Sequence, residues 1–258
     1  MSFHSDASAP ASAAPSTATA TATTATAKTL TARAVLFDMD GTLVDSTAIV
    51  EEVWGEFAVR YGLDIAEILH TSHGVQAGDT VRRFAAAGAD VVALTAELGA
   101  MERVRTAGIV ALPGAADLLR SLPGDAVALV TSADRVLAEI RMGAAGLAMP
   151  ATAVTADLVT RGKPHPEGYL RAAALLGVDP ADAVVFEDAP AGIAAGLAAG
   201  IRTVAIGPNT GPLPEGVLHI ADYSAVSAST DLDDAGARRI SFRIDLQTAG
   251  QIGRVPLG

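Results

Sequence analysis

No cysteine occurs among the 258 residues, which excludes disulfide staples, thiolate metal sites and cysteine nucleophiles and makes a reducing cytoplasm the expected compartment. Basic runs are absent too. With a formal net charge of -11, the chain lacks the clustered Lys and Arg that a polyanion partner requires, so no nucleic acid is expected. No apolar run approaches the roughly 20 residues of a membrane span, and no basic or Arg-rich start marks a secretory or transit segment. Several catalytic templates are missing as well. There is no Walker phosphate loop, no Gly-x-Gly-x-x-Gly after the first strand and no Gly-x-Ser-x-Gly elbow. The five His residues show no spacing such as His-Glu-x-x-His. Catalysis must therefore come from other oxygen and nitrogen groups.

Half of the residues are hydrophobic, enough for one sizeable core and a small accessory domain. Residues 1–30, rich in Ala, Ser, Thr and Pro, offer too little apolar bulk to offset ordering entropy and read as a disordered tail. Order begins at Ala34-Val35-Leu36-Phe37. Further apolar runs at residues 126–130, 183–186 and 203–206 resemble strands buried on both faces, and helical patterns at 115–122, 133–145 and 166–176 lie between them. This alternation predicts an α/β fold with a doubly wound, mostly parallel sheet, whose ligands bind at the carboxyl ends of the strands. The expected core covers residues 31–46 and 110–226. Residues 47–109, with Val50, Val53, Trp54, Phe57 and later Leu94, Leu98 and Met101 at helical spacing, read as an inserted helical cap. In residues 227–258, a C-terminal extension, Ile240, Phe242, Ile244 and Leu246 alternate with polar residues, which suits a peripheral strand.

The chemistry-bearing residues fall at the predicted strand ends. Asp38 and Asp40 stand two apart before the Gly41-Thr42 turn, and carboxylates held close separate in pKa, so that one can attack while the other carries a proton. An ordinary turn with a capping Thr42 would have the same sequence. Glu187-Asp188 closes another strand, and two carboxylates from different strands plus a substrate phosphate would suit a hard cation such as Mg²⁺. Lys163, between Gly162 and Pro164, could neutralise a phosphoryl group or simply lie on the surface. Thr131 and Ser132 could bind phosphate oxygens or cap the following helix. Glycines 192, 196 and 200 read as close packing of a helix on the sheet.

Taken together, residues 37–46, Thr131-Ser132, Lys163-Pro164 and Glu187-Asp188 resemble the four ordered motifs of haloacid dehalogenase-type hydrolases with a helical cap. The stretches 162–167 and 186–196 are most similar to those of glycerol-phosphate and 2-deoxyglucose-6-phosphate phosphatases. Ser72-His73-Gly74 with Asp79 resembles their cap loop, except that Val75 and Gln76 replace the expected bulky residue and Arg. The resemblance implies a Mg²⁺-dependent phosphatase acting on a small phosphorylated metabolite, as a monomer or small homo-oligomer. In such an enzyme Asp38 is the nucleophile and Asp40 the acid/base. Asp38, the Asp40 carbonyl and Asp188 hold the metal, with Glu187 supporting. Thr131, Ser132 and Lys163 bind the phosphoryl group, and His73, Gly74, Gln76 and Asp79 face the leaving group. A phosphosugar mutase of the β-phosphoglucomutase type shares every core motif. A non-catalytic phosphometabolite sensor would use the same fold.

Overall fold

The computed structural model describes residues 1, 26–208 and 212–246. The chain runs through β1 (Thr26–Ala32), β2 (Ala34–Phe37) and β3 (Val44–Asp45) into four helices, α1 (Thr47–Tyr61), α2 (Ile65–Ser72), α3 (Ala77–Phe84) and α4 (Val91–Arg103). It returns through β4 (Val110–Ala111), α5 (Ala115–Ser121), β5 (Val127–Val130), α6 (Arg135–Ala144), β6 (Thr152–Val154), α7 (Glu167–Leu175), β7 (Ala183–Glu187), α8 (Pro190–Ala198), β8 (Arg202–Ile206) and β9 (Leu218–Ile220). Two longer strands follow, β10 (Val226–Leu232) and β11 (Arg238–Leu246).

Six strands form one sheet in the order β6-β5-β2-β7-β8-β9, and every pairing in it is parallel. Because side chains alternate along a strand, Leu36, Ala128, Val130 and Val185 face α7 and α8. Val35, Phe37, Leu129 and Phe186 face α5 and α6. Both faces are thus covered, which is why these strands read as unbroken apolar runs. The order places β2 between β5 and β7, so the chain winds both ways from its first core strand.

The two polypeptide crossings between the sheet and helices α1–α4 run side by side as β3 and β4, paired antiparallel with Val44 opposite Ala111 and Asp45 opposite Val110. The helices are individually well delimited. Gly62 closes α1 in the left-handed region, Asp64 caps α2, and Asp90 caps α4 by accepting from the Ala93 N–H at 3.0 Å. α4 packs against α6, which brings this helical layer over the carboxyl ends of the central strands.

One expectation requires correction. Residues 26–30 are not part of a structureless tail: they belong to β1, which pairs antiparallel with β11 from Thr26–Leu246 to Ala32–Ile240. The physical reason is that β11 buries Ile240, Phe242 and Ile244 on one face and offers its edge to a segment whose Thr residues tolerate the extended backbone. Residues 2–25 of the expected tail and 247–258 of the expected extension lie outside the described residues. With β10, the two strands make a second sheet in the order β1-β11-β10. Phe242 meets Phe186 of the central sheet edge-on, with ring centroids 5.8 Å apart. Among the described residues no helix is long and apolar enough to cross a membrane.

Candidate active site

The three central strands β5, β2 and β7 end side by side, and each delivers polar groups at its tip: Thr131, Asp38, and Glu187 with Asp188. The Asp38 N–H donates to the Phe186 carbonyl at 3.1 Å, so the ladder continues one residue beyond β2 and fixes the Asp38 backbone. Beyond it the chain turns through Gly41. At φ +78° a side chain is strained, and a β-carbon there would meet Asp188 Oδ2 at 2.0 Å, so only glycine fits.

Asp38, Glu187 and Asp188 each present a carboxylate oxygen within 4.8 Å of the others. One ammonium joins them: Lys163 Nζ donates to Asp38 Oδ1 at 2.5 Å and to Glu187 Oε1 at 2.6 Å, although the loop carrying it lies 24 residues or more away in sequence from both. The Tyr169 hydroxyl also donates to Glu187 Oε1, at 3.1 Å, and the Ala189 N–H to Glu187 Oε2, at 2.9 Å. Glu187 is fully buried, and Gly192 on α8 makes room for its carboxylate, which a β-carbon would strike. Thr42 Oγ1 donates to Asp188 Oδ1 at 3.2 Å.

Three carboxylates against one ammonium leave this buried nest with surplus negative charge. Burial pushes the Asp38 carboxyl up to about 7; Lys163 opposes the rise and the Glu187 charge adds to it. Asp188 is raised well above its usual value by burial and by the Glu187 and Asp38 charges. For Lys163, burial works against the charged form, but Asp38 and Glu187 outweigh it and the net shift is upward. Oxygen donors converging with uncompensated charge suit a hard divalent cation.

Asp40, two residues from Asp38, stands apart from this cluster. Its Oδ1 accepts from Ser46 Oγ at 2.6 Å and its Oδ2 from Arg141 Nη1 at 2.8 Å. Arg141, on α6 and 4% exposed, uses its other terminal nitrogen to bond Glu102 Oε1 on α4, also at 2.8 Å. Burial raises the Glu102 carboxyl, an effect that Arg141 only partly offsets.

A cleft of about 150 Å³ opens between the strand ends and the helical layer. Asp38, Asp40, Thr131, Ser132 and Asp188 line it, as do His73 and Gly74, so the structure brings these sequence-predicted residues together. Thr131 Oγ1 accepts from the Ala133 N–H at 3.1 Å and Ser132 Oγ donates to the Gly74 carbonyl at 2.7 Å; the cap of α6 is Asp134 instead. Gln76 and Asp79 are placed elsewhere. Gln76 Nε2 reaches the Ala156 carbonyl at 3.4 Å, and Asp79 pairs with Arg82 at 2.5 Å; neither lines the cleft. Lys163 and Glu187 sit behind Asp38 rather than on the cleft wall. Of the three spaced glycines, Gly192 and Gly196 pack closely, whereas Gly200 ends the helix at φ +73° with open space around it.

No role is expected from the sequence for Arg141, Glu102 or Tyr169, and Ser46 enters there only as the last residue of the 37–46 motif. A signal was present for two of them. Arg141 follows Leu137 by four residues and Glu102 follows Leu98 by four, so each charge falls on the apolar face of its helix, where a charge needs a partner.

A family model described as haloacid dehalogenase-like hydrolase matches residues 32–200. The chain is 47% identical over 178 residues to hexitol phosphatase A of Escherichia coli K12, a match covering 67% of this chain and 82% of that protein. It is 36% identical over 184 residues to glycerol-1-phosphate phosphohydrolase 1 of Saccharomyces cerevisiae, covering 67% and 74%. Among solved structures, a β-phosphoglucomutase from Clostridium difficile superposes with a TM-score of 0.65 over 74% of this chain and 91% of its own, at 22% identity. That last likeness is one of fold.

Proposed function

This chain belongs to the haloacid dehalogenase-like hydrolases, and from that premise we propose that it is a Mg²⁺-dependent phosphatase of sugar or polyol phosphates working through an aspartyl phosphate. The observation that carries this reading is the convergence of Asp38, Glu187 and Asp188 on one point, with Lys163 bridging two of them. The names of the hexitol and glycerol phosphate relatives support the substrate class.

Asp38 lines the cleft and Lys163 holds its Oδ1, so the reacting atom is assigned to the second oxygen. That oxygen attacks phosphorus, a new P–O bond forms to Asp38, and the bond to the leaving oxygen breaks. Asp40 gives its proton to the departing alkoxide. It then takes one from water, whose oxygen attacks phosphorus and releases inorganic phosphate and the free Asp38 carboxylate. Thr131 and Ser132, on the cleft wall, steady the phosphoryl oxygens, and Lys163 acts from behind Asp38 by neutralising charge at the nucleophile. The acidic cluster fits Mg²⁺, which Asp38, Asp188 and the Asp40 carbonyl would hold, with Glu187 behind them; when bound it supplies neutralisation of phosphoryl charge.

A mutase must also seat a second phosphate, and the guanidiniums at the cleft, Arg141 and beside it Arg103, are each bonded to a carboxylate, Arg103 to Asp134 at 2.5 Å, which supports the phosphatase reading. The deciding experiment is phosphate release from a panel of hexitol, polyol and sugar phosphates, with Mg²⁺ and with chelator. Metal-dependent release from at least one polyol or sugar phosphate is expected. No release from any of them, or isomer formation from a sugar 1-phosphate primed with bisphosphate, overturns the reading.

A further inference from the structure

Both oxygens of the Asp40 carboxylate are held by groups that belong to, or bond with, the helical layer. On the incoming side, Ser46 is the residue between β3 and α1, and its hydroxyl donates to Oδ1 instead of capping its own helix. On the outgoing side, Glu102 lies in the last turn of α4, and it reaches Oδ2 through the buried guanidinium of Arg141. The salt bridge from Arg103 to Asp134 and the bond from Ser132 to Gly74 seat the same layer on the same sheet.

We propose that Glu102 and Arg141 are positioning residues that make the orientation of the Asp40 carboxylate depend on the seating of the helical layer over the cleft. Arg141 comes from the core and Glu102 from the layer, so lifting α4 away separates that pair and leaves the guanidinium anchored at its Asp40 end alone, free to pivot with the carboxylate it holds. A planar guanidinium suits the task, because two carboxylates bonded to its two ends are held at a fixed separation and angle. Since misplacing an acid by about 1 Å can cost on the order of a hundredfold in rate, such a link lets the acid/base be aligned only when the site is covered. The inference rests on the acid/base reading of Asp40.

The test is a double-mutant cycle in the full chain, read as kcat and KM for the best phosphate ester of the panel, with folding checked by thermal unfolding. Glu102→Gln is expected to lower kcat about tenfold or more while KM moves less than about threefold. In an Asp40→Asn background the same change should lower kcat less than about twofold, because the group it positions has already been disabled. Arg141→Lys keeps the charge, loses the two-ended bridge and should show the same pattern, which covers the case in which Glu102→Gln folds poorly. Equal losses in both backgrounds would indicate mere scaffolding and overturn the inference. A slow Asp40→Asn enzyme beside unimpaired Glu102→Gln and Arg141→Lys enzymes overturns this inference alone, whereas normal turnover by Asp40→Asn overturns the acid/base reading and this inference with it.

Discussion

Gly41 and Asp188, 147 positions apart in the chain, touch so closely that no side chain can stand at the first without moving the carboxylate of the second. Gly41→Ala would add a β-carbon 2.0 Å from Asp188 Oδ2, at a backbone angle already unfavourable for alanine. The expected outcome is at least a roughly tenfold rise in the Mg²⁺ concentration needed for half-maximal phosphate release, since one mispositioned ligand removes about 1.4 kcal/mol or more of binding. An unchanged Mg²⁺ requirement would remove Asp188 from the metal site.

Asp38→Asn should abolish turnover, and near-normal phosphate release by it, with deamidation excluded, would falsify the nucleophile assignment. Asp40→Asn should slow release by about two to four orders of magnitude for an alkyl phosphate. For p-nitrophenyl phosphate, whose leaving group departs without a proton, the loss in kcat/KM should be much smaller. Equal losses on both esters would deny Asp40 the role of general acid.

Lys163→Met leaves Asp38 and Glu187 buried without their shared cation, a change that costs about 3–5 kcal/mol of stability in comparable buried pairs. Urea unfolding should reveal the loss. Added Mg²⁺ should recover part of it, because a second cation restores charge balance in the nest.

Without metal, Asp38 in the folded chain holds its proton up to about pH 7, against 3.8 when unperturbed. Between those values the folded state binds more protons than the unfolded one. The stabilising contribution is therefore complete below about pH 4 and lost as pH rises through 7. Asp38→Asn lacks this dependence. In chelator, the melting temperature of Asp38→Asn minus that of wild type should grow between pH 5 and 7, and Mg²⁺ should shrink the difference. A constant difference would show that Asp38 is already ionised in the metal-free protein.

The second sheet should be integral to the core. Phe242→Ala removes a fully buried ring that packs on Phe186 of β7, and a loss of about 3–5 kcal/mol in urea unfolding is expected. A loss below 1 kcal/mol would mark that sheet as a detachable appendage.

Central strands and the acidic groups at their tips were legible because β2, β5 and β7 are covered on both faces, so burial writes itself into the sequence as an apolar run with a polar end. The short β6 and β9 carry three residues each, too few for a period to register. β1 was illegible for another reason. Its composition is that of a solvated linker, and only the alternation of Ile240, Phe242 and Ile244 on a strand more than 200 residues away gives it a partner. Within the site, Asp38 and Lys163 could be proposed from type and context. The Asp40–Arg141–Glu102 chain could not, because it joins three elements whose meeting depends on how α4 docks on α6.

β11 is the middle strand of its sheet, with β1 along one side and β10 along the other. A polypeptide shortened to begin at Arg33 would keep every group of the cleft, yet it would uncover the side of β11 that β1 occupies, a row of amide and carbonyl groups looking for a mate. Such a truncated enzyme would be expected to turn over normally when dilute and to clump when concentrated.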